Sequence, residues 1–296
     1  MSRLSALICL LLGACVSGFH PAVAIKPYHG AEIVTVPTLH PDGKELSGLL
    51  FRTAGSAKGP AVLMMHGCAG AFSKSGKLKA RPRFWAEHLS RCGYVVLVLD
   101  SFNPRGVRHV CQMLDRPVTP EDDRPYDAIS GLRYLQALDQ VDAARVALMG
   151  WSHGAMSALN AIRVQGRASF RPPPTDFRAA VAFYPGCRRL SGAAYTSAVP
   201  LLMLLGGADE WTPARHCVRL ANMARGQGAS IRVQVYDGAH HSFDHPNLPL
   251  RAVTARSSKS ASGTRTVHVG THEAARKRAI SAASAFLAHH LGGPAE

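Results

Sequence analysis

The chain has 296 residues, with 34 lysines and arginines against 19 aspartates and glutamates, and a formal net charge of +15. Its length suits one large domain or two small ones, and no linker-like break in composition divides it. The basic residues lack the interleaved aromatic residues of a nucleic-acid-binding surface, which argues against nucleic acid as a partner. Two explanations of the charge stay open: a solvated basic surface, or attraction of an anionic partner such as a carboxylate-bearing substrate.

The first 24 residues differ from the rest of the chain. Arg3 precedes an apolar run from Leu4 to Val16, which is too short to span a bilayer comfortably, and Ala22-Val23-Ala24 offers a small-residue cleavage site. These features predict an export signal over residues 1–24 and a protein exported to a bacterial periplasm or cell envelope.

A second interpretation of the same region concerns Leu12-Gly13-Ala14-Cys15, which resembles a bacterial lipobox. In that case Cys15 would become the lipid-bearing first residue of an anchored protein. In either case residues 25–296 are predicted to form a single domain. No later segment is predicted to cross the membrane.

Apolar runs of strand length alternate with helical stretches, which predicts a mostly parallel sheet of about eight strands with helices on both faces. The candidate strands are Glu32–Pro37, Ser47–Arg52, Ala61–Met65, Tyr94–Leu99, Arg145–Met149, Ala179–Phe183, Leu201–Leu205 and Ile231–Tyr236. The candidate helices are Arg83–Arg91, Tyr126–Leu138, Ser152–Val164, Pro213–Arg225 and His272–His290. The long segment from Pro246 to Gly270 lacks clear periodicity, and a loop of this length is either functional or mobile. We predict a mobile loop there.

The cysteines beyond the leader are Cys68, Cys92, Cys111, Cys187 and Cys217. In an oxidising envelope an odd number of cysteines leaves at least one free thiol. Cys187 with Cys217 is the predicted disulfide, because both follow strands that should be neighbours at the same sheet edge. The chain has no Cys-x-x-Cys and no His-x-x-His, so no metal site is predicted.

The segment Gly150-Trp151-Ser152-His153-Gly154 lies where an apolar strand turns into a small-residue helix. This is the context of a nucleophile elbow, in which a sharp turn exposes a serine hydroxyl and bulk on either side would collide with the adjoining strand or helix. The pentapeptide alone is weak evidence in a chain with 27 glycines. The assignment of a nucleophile elbow therefore depends on the position of the pentapeptide between strand and helix and on the presence of catalytic partners elsewhere in the chain.

A serine nucleophile needs a histidine base, and the histidine needs a carboxylate to orient it. In this type of fold the acid and the histidine follow Ser152 in that order, each after a strand. Asp209 follows the buried strand Leu201–Leu205, and His240 and His241 follow the last strand. Capping of the next helix is the alternative role of Asp209, and the spacing alone does not choose between the two histidines.

Two backbone amides are expected to hold the oxyanion of the reaction intermediate. His153 directly follows the nucleophile and supplies one of them. Cys68, in the loop that follows the strand Ala61–Met65, supplies the other. Its thiol is not expected to act as a second nucleophile, because no base is positioned for it.

Several segments together resemble the dienelactone hydrolase family of α/β-hydrolases. They are His66-Gly67-Cys68-Ala69-Gly70, Asp100–Gly106, Gly150–Gly154, Asp209–Pro213 and Tyr236–Phe243. The resemblance implies the α/β-hydrolase fold and hydrolytic activity. It also favours His241 over His240 as the base, because the catalytic histidine of the family is followed two positions later by phenylalanine.

The chain departs from the founding members of this family at three positions. Ser152 stands where they use cysteine, Gly67 stands where they carry a glutamate, and Asp244 stands where they carry an arginine. Arg105 is in the region of a family arginine that binds the substrate carboxylate, and either this role or a structural role in the turn is open to it. The resemblance therefore supports hydrolysis more strongly than a dienelactone substrate.

Together these features predict an exported serine hydrolase that cleaves a carboxylic ester or lactone with Ser152, Asp209 and His241, without a cofactor. A thioesterase or a peptidase would use the same three residues. A non-catalytic binding protein on a hydrolase scaffold is the alternative from another class.

Overall fold

The computed structural model describes residues 23–53, 58–164, 176–190, 194–256 and 263–292. Most of the predicted export signal, including Cys15, lies outside these residues. Eight strands form the main sheet: β1 (Glu32–Val36), β2 (Leu46–Phe51), β3 (Gly59–Met65), β4 (Val95–Asp100), β5 (Val141–Trp151), β6 (Ala179–Phe183), β7 (Leu201–Gly206) and β8 (Ile231–Tyr236). The helices of the described residues are α1 (Ala80–Arg91), α2 (Arg124–Gln136), α3 (His153–Ile162), α4 (Ala214–Arg225) and α5 (Glu273–Leu291), with a short 3-10 turn at Asn103–Arg105.

The strands lie in the order β1-β2-β4-β3-β5-β6-β7-β8. β2 runs antiparallel to β1 and β4, and the remaining neighbours are parallel. Residues of β4, β6 and β7 are buried throughout, as expected for parallel strands covered on both faces. The predicted strands and the α/β-hydrolase architecture are thus confirmed.

Two hydrophobic cores lie on opposite faces of the sheet, because successive side chains of a strand point to opposite sides. Leu63 and Leu97 belong to the core that also contains residues of α2, α3 and α4, whereas Val62 and Val96 belong to the core that contains residues of α1 and α5. None of the described helices is long and apolar enough to cross a membrane.

The segment from Pro246 to Gly270 differs from the prediction. It contains an antiparallel hairpin of β9 (Arg251–Arg256) and β10 (Thr264–Val269), so a mobile loop is the wrong description of these residues. Ala255 and Val267 are fully buried, and the amide of Gly270 donates to the carbonyl of His241 at 3.0 Å. The two strands have six residues each but bury few of them, so the apolar pattern that predicts a strand is weak in this part of the sequence.

Two disulfides are present among the described cysteines. Cys187–Cys217 confirms the predicted pair, and Cys68–Cys111 is an additional one. Cys92 is exposed and unpaired. The second bridge was not predicted because Cys111 lies in a loop without strands or helices that would indicate its position.

The turn between β5 and α3 is built on a close approach of backbones. Ser152 has φ of 50°, a conformation rare for a residue with a side chain. A Cβ atom added to Gly154 would lie 2.1 Å from the carbonyl oxygen of Met65, and one added to Gly150 would lie 2.4 Å from that of Gly154. Only glycine fits at either position, as the elbow pattern predicts.

Gly154→Ala should lower the free energy of unfolding by about 3 kcal/mol, because its Cβ can be accommodated only by separating α3 from β3. Gly59→Ala, in the same sheet, is the matched control, since a Cβ there meets nothing within 4 Å. We expect the control to change stability by no more than about 0.5 kcal/mol in urea denaturation. Equal losses for the two variants would contradict the role of the close approach.

Candidate active site

A pocket of about 400 Å³ opens at the end of the sheet where β3 and β5 finish. This is the edge at which open α/β sheets bind ligands, and the volume suits a small molecule. Ser152, His241 and Cys68 all line the pocket. Three of the residues singled out from the sequence are therefore brought together.

Ser152 lies directly before the first residue of α3. Its amide donates to the carbonyl of Phe183 at 2.9 Å, and its carbonyl accepts from the amide of Met156 at 2.8 Å. These two bonds anchor the strained turn on β6 and on the helix. The side chain of Ser152 lies at the pocket, next to the positive end of the α3 dipole.

Asp209 and His241 form a buried pair, each with 4% of its surface exposed. Oδ2 of Asp209 lies 2.8 Å from Nδ1 of His241. Burial opposes ionisation of Asp209, but the charge of His241 and the hydrogen bonds from His241 and Thr212 outweigh it and lower the pKa of the carboxyl group below 3.8. Asp209 is thus an ionised partner that orients the imidazole.

The sequence left open whether Asp209 caps the helix that follows it, and the contacts of its other carboxylate oxygen answer this question. Oδ1 accepts the amides of Trp211 at 2.8 Å and Thr212 at 2.9 Å, in a tight turn that ends before α4 begins at Ala214. The carboxylate therefore shapes its own loop with one oxygen and contacts His241 with the other.

His241 has further neighbours that the sequence did not indicate. The hydroxyl of Thr212 lies 3.1 Å from its Nδ1 and 2.9 Å from Oδ2 of Asp209. The rings of Tyr184 and Trp211 have centroids 4.5 Å and 5.1 Å from that of the imidazole. His241 is therefore fixed by polar contacts at one nitrogen and by aromatic rings around it, whereas His240 lies outside the pocket lining beside His268.

Arg124 connects the two segments that carry the expected oxyanion amides. This fully buried guanidinium donates from NH1 to the carbonyl of His66 at 2.8 Å and contacts Nδ1 of His153 at 2.9 Å. Its Nε donates to the hydroxyl of Ser101 at 3.1 Å. Burial lowers the pKa of Arg124 to about 10, so the side chain remains a cation at neutral pH.

The two histidines next to Arg124 are neutral. Burial, and then the charge of Arg124, hold the pKa of both His66 and His153 well below 6.5. The ring of His66 donates from Nδ1 to the carbonyl of Gly67 at 2.8 Å and accepts the amide of Ser101 at Nε2. His66 thus stiffens the loop that carries Cys68, and does so without a charge.

The Cys68–Cys111 disulfide holds the same loop from the other side, and both cysteines line the pocket. The amide of Val110 also donates to the carbonyl of Cys68 at 2.8 Å. Because the thiol of Cys68 is consumed in the bridge, it is not available as a second nucleophile. The oxyanion role of its backbone amide stays a prediction from the sequence.

Asp244 is a fully buried carboxylate behind the site, at the position where the founding family members carry an arginine. Its Oδ2 accepts from the indole groups of Trp85 at 2.9 Å and Trp151 at 2.8 Å, and its Oδ1 accepts from the hydroxyl of Tyr184 at 2.5 Å. Nε of Arg81 lies 3.3 Å from Oδ1. Asp244 thereby positions Trp151, which precedes Ser152, and Tyr184, which packs on His241.

Arg105 has a structural role instead of the substrate-binding role considered from the sequence. Its guanidinium donates to both oxygens of Asp127, to a carboxylate oxygen of Asp42 and to the carbonyl of Ser101. It is 6% exposed and is absent from the pocket lining. The two carboxylates that bind Arg105 are distant in sequence, which is why the motif did not reveal them.

The β9–β10 hairpin forms one wall of the pocket through Arg251, Val253 and Val269. Gln112, on the loop that carries Cys111, donates to the carbonyl of Thr254 at 2.6 Å and thereby joins the hairpin to the opposite wall. The described strands of the segment predicted to be a mobile loop thus form part of the pocket wall.

Comparison with solved structures identifies the same fold. Esterase 2 of Thermogutta terrifontis phosphoramylated by tabun is 18% identical, with a TM-score of 0.64 over 92% of this chain and 98% of that one. The propionate-bound form of a Thermogutta terrifontis esterase is 19% identical, with a TM-score of 0.62 over 90% and 97% of the two chains.

Comparison with curated sequences finds acylamino-acid-releasing enzyme 2 of Oryza sativa subsp. japonica, 24% identical over 273 residues. The match takes in 75% of this chain, but the chain spans only 33% of that enzyme. The sequence model of the dienelactone hydrolase family matches residues 46–291, which include Ser152, Asp209 and His241. The chain therefore belongs to the dienelactone hydrolase family.

Proposed function

We propose that the protein is a serine hydrolase that cleaves a carboxylic ester or lactone through an acyl-enzyme intermediate. The observation that carries this proposal is the buried Asp209–His241 pair, which lies at the same pocket as Ser152 on its strained turn. Membership of the dienelactone hydrolase family supports it.

In the proposed reaction the Oγ atom of Ser152 attacks the carbonyl carbon of the substrate. His241 takes the proton at Nε2, because its Nδ1 is engaged with Asp209. The amides of Cys68 and His153 hold the oxyanion. Arg124 contacts both of the segments that carry these amides. His241 then protonates the leaving oxygen and activates a water that releases the acid.

Ser152→Ala should lower kcat for a short activated ester by at least about 10³-fold, because the nucleophile is lost. It should also abolish labelling by a fluorophosphonate. Ser157→Ala is the matched control, since it removes a hydroxyl of the same helix that donates to the carbonyl of His153. Full activity of Ser152→Ala, or failure of the wild-type protein to react with the probe, would contradict the proposal.

A peptidase is the second candidate, because the rice relative is named for the release of acylamino acids. The lining of the pocket does not favour binding of a free peptide amino terminus. Among the described residues that line it there is no aspartate or glutamate to pair with an ammonium group. A panel of esters, thioesters and blocked peptides compared by kcat/KM would rank the three activities.

We further infer that the substrate carries a negative charge away from the reacting carbonyl. Lys79, Arg81 and Arg251 line the pocket, and the chain has a net charge of +15. The amine of Lys79 donates to the carbonyl of Ala69, and Arg81 is paired with Asp244. Arg251 is exposed at the start of β9, which makes it the best placed to meet an anionic group.

Arg251→Gln should lower the ratio of kcat/KM for a carboxylate-bearing ester over its neutral isostere about fivefold, equivalent to about 1 kcal/mol for a solvent-exposed ion pair. Arg232 is another exposed arginine, on β8, that does not line the pocket, and Arg232→Gln is the control for the change in net charge. An unchanged ratio in Arg251→Gln, or an equal change in both variants, would exclude the proposed contact.

We also propose that the protein acts outside the cytoplasm, in a bacterial periplasm or cell envelope. The support is the leader over residues 1–24 together with the disulfides Cys68–Cys111 and Cys187–Cys217, since disulfides persist in oxidising compartments. A lipid anchor on Cys15 is compatible with this location.

A further inference from the structure

Three side chains with metal-binding groups meet beside the acid–base pair, outside the pocket lining. They are Glu210, His240 and His268. Glu210 follows Asp209 in the chain, His240 precedes His241, and His268 belongs to β10. One candidate ligand atom from each residue lies within 4.8 Å of the other two.

The contacts within this cluster leave room for a ligand. Oε2 of Glu210 lies 3.0 Å from Nδ1 of His268 and accepts the backbone amide of His268 at 2.7 Å. The rings of His240 and His268 have centroids 5.4 Å apart. Among the described residues, the buried Nδ1 of His240 has no hydrogen-bond partner. The side chains of Glu210 and His268 are 45% and 42% exposed, so a solute can reach them.

Two imidazoles and one carboxylate are a ligand set typical of zinc and other late transition metals, whereas magnesium and calcium prefer oxygen ligands alone. Zinc bonds of about 2.0–2.1 Å in a tetrahedral site place the ligand atoms about 3.3 Å apart. Binding would therefore require the ligand atoms, now within 4.8 Å of one another, to approach further by rotation of the exposed side chains of Glu210 and His268. Three protein ligands leave the fourth position to water.

Glu210 is already aligned with one of the two imidazoles. Its Oε2 is held toward His268 by the backbone amide of that residue, at 2.7 Å, and lies 3.0 Å from Nδ1 of the ring. A carboxylate oxygen in this position is a donor that zinc accepts.

We propose that Glu210, His240 and His268 bind one divalent transition-metal ion of the zinc class. The ligands come from three separate segments, so no spacing motif reveals them in the sequence. A bound ion would join the Asp209 loop, the His241 loop and the β9–β10 hairpin. The His241 loop already meets the end of the hairpin where the amide of Gly270 donates to the carbonyl of His241 at 3.0 Å, and the Asp209 loop meets the hairpin through Glu210. This site goes beyond the proposed hydrolysis and does not involve Ser152.

The test uses residues 25–296 without an affinity tag, treated with chelator and carrying Cys92→Ser, because the exposed thiol of Cys92 is itself a zinc ligand. Titration with zinc chloride in a calorimeter should show one ion per chain. At zinc concentrations a hundredfold above Kd, Tm should rise by about 5 °C, since a ligand that binds only the folded state stabilises it. Magnesium chloride should give no rise.

Glu210→Gln and His268→Ala should each weaken zinc binding at least tenfold and remove the zinc-dependent rise in Tm. Glutamine still accepts a hydrogen bond from His268, so the first variant tests the ligand and not the fold. His29→Ala removes an exposed histidine elsewhere and should keep both effects, as should Ser152→Ala. Absence of binding to the Cys92→Ser chain, or unchanged binding when Glu210→Gln or His268→Ala is added to it, would overturn the proposal whatever the esterase result.

Discussion

The approach of Gly154 to the carbonyl oxygens of Met65 and His66 is the constraint on which the rest of the site depends. Without a Cβ atom, α3 can begin directly against the end of β3, and Ser152 can adopt its positive φ at the top of β5. This packing places the start of α3 beside the loop that carries Cys68. The backbone conformation of Ser152 is unfavourable for a residue with a side chain, and the tertiary contacts around the turn hold it in place.

Buried polar side chains add to the backbone contacts that hold the candidate site together. Arg124 is shared between the carbonyl of His66 and the ring of His153, and Asp244 is shared between two indole groups and the phenol of Tyr184. Burying either charge without such partners would be strongly unfavourable. Each therefore fixes the relative position of segments that are far apart in sequence and that surround the candidate site.

The sequence predicted those parts that follow from local patterns. Buried strands are continuous apolar runs, and Ser152, Asp209 and His241 each lie just after a strand, so sheet and candidate site could be placed together. Contacts between distant segments are not encoded in the periodicity of the sequence. Such contacts determine the positions of Arg124, of the Cys68–Cys111 disulfide and of the pocket wall at Arg251. Arg105 was considered for substrate binding because its carboxylate partners, Asp42 and Asp127, could not be identified from its own motif.

The three tryptophans of the chain are all found around the candidate active site. Trp85 and Trp151 share the carboxylate of Asp244, and the ring of Trp211 packs on His241. The intrinsic fluorescence of the protein is therefore concentrated at the site, and little of it reports on the distant end of the sheet. Ligand entry, or a change in the charge of His241, will register in the emission without any added label.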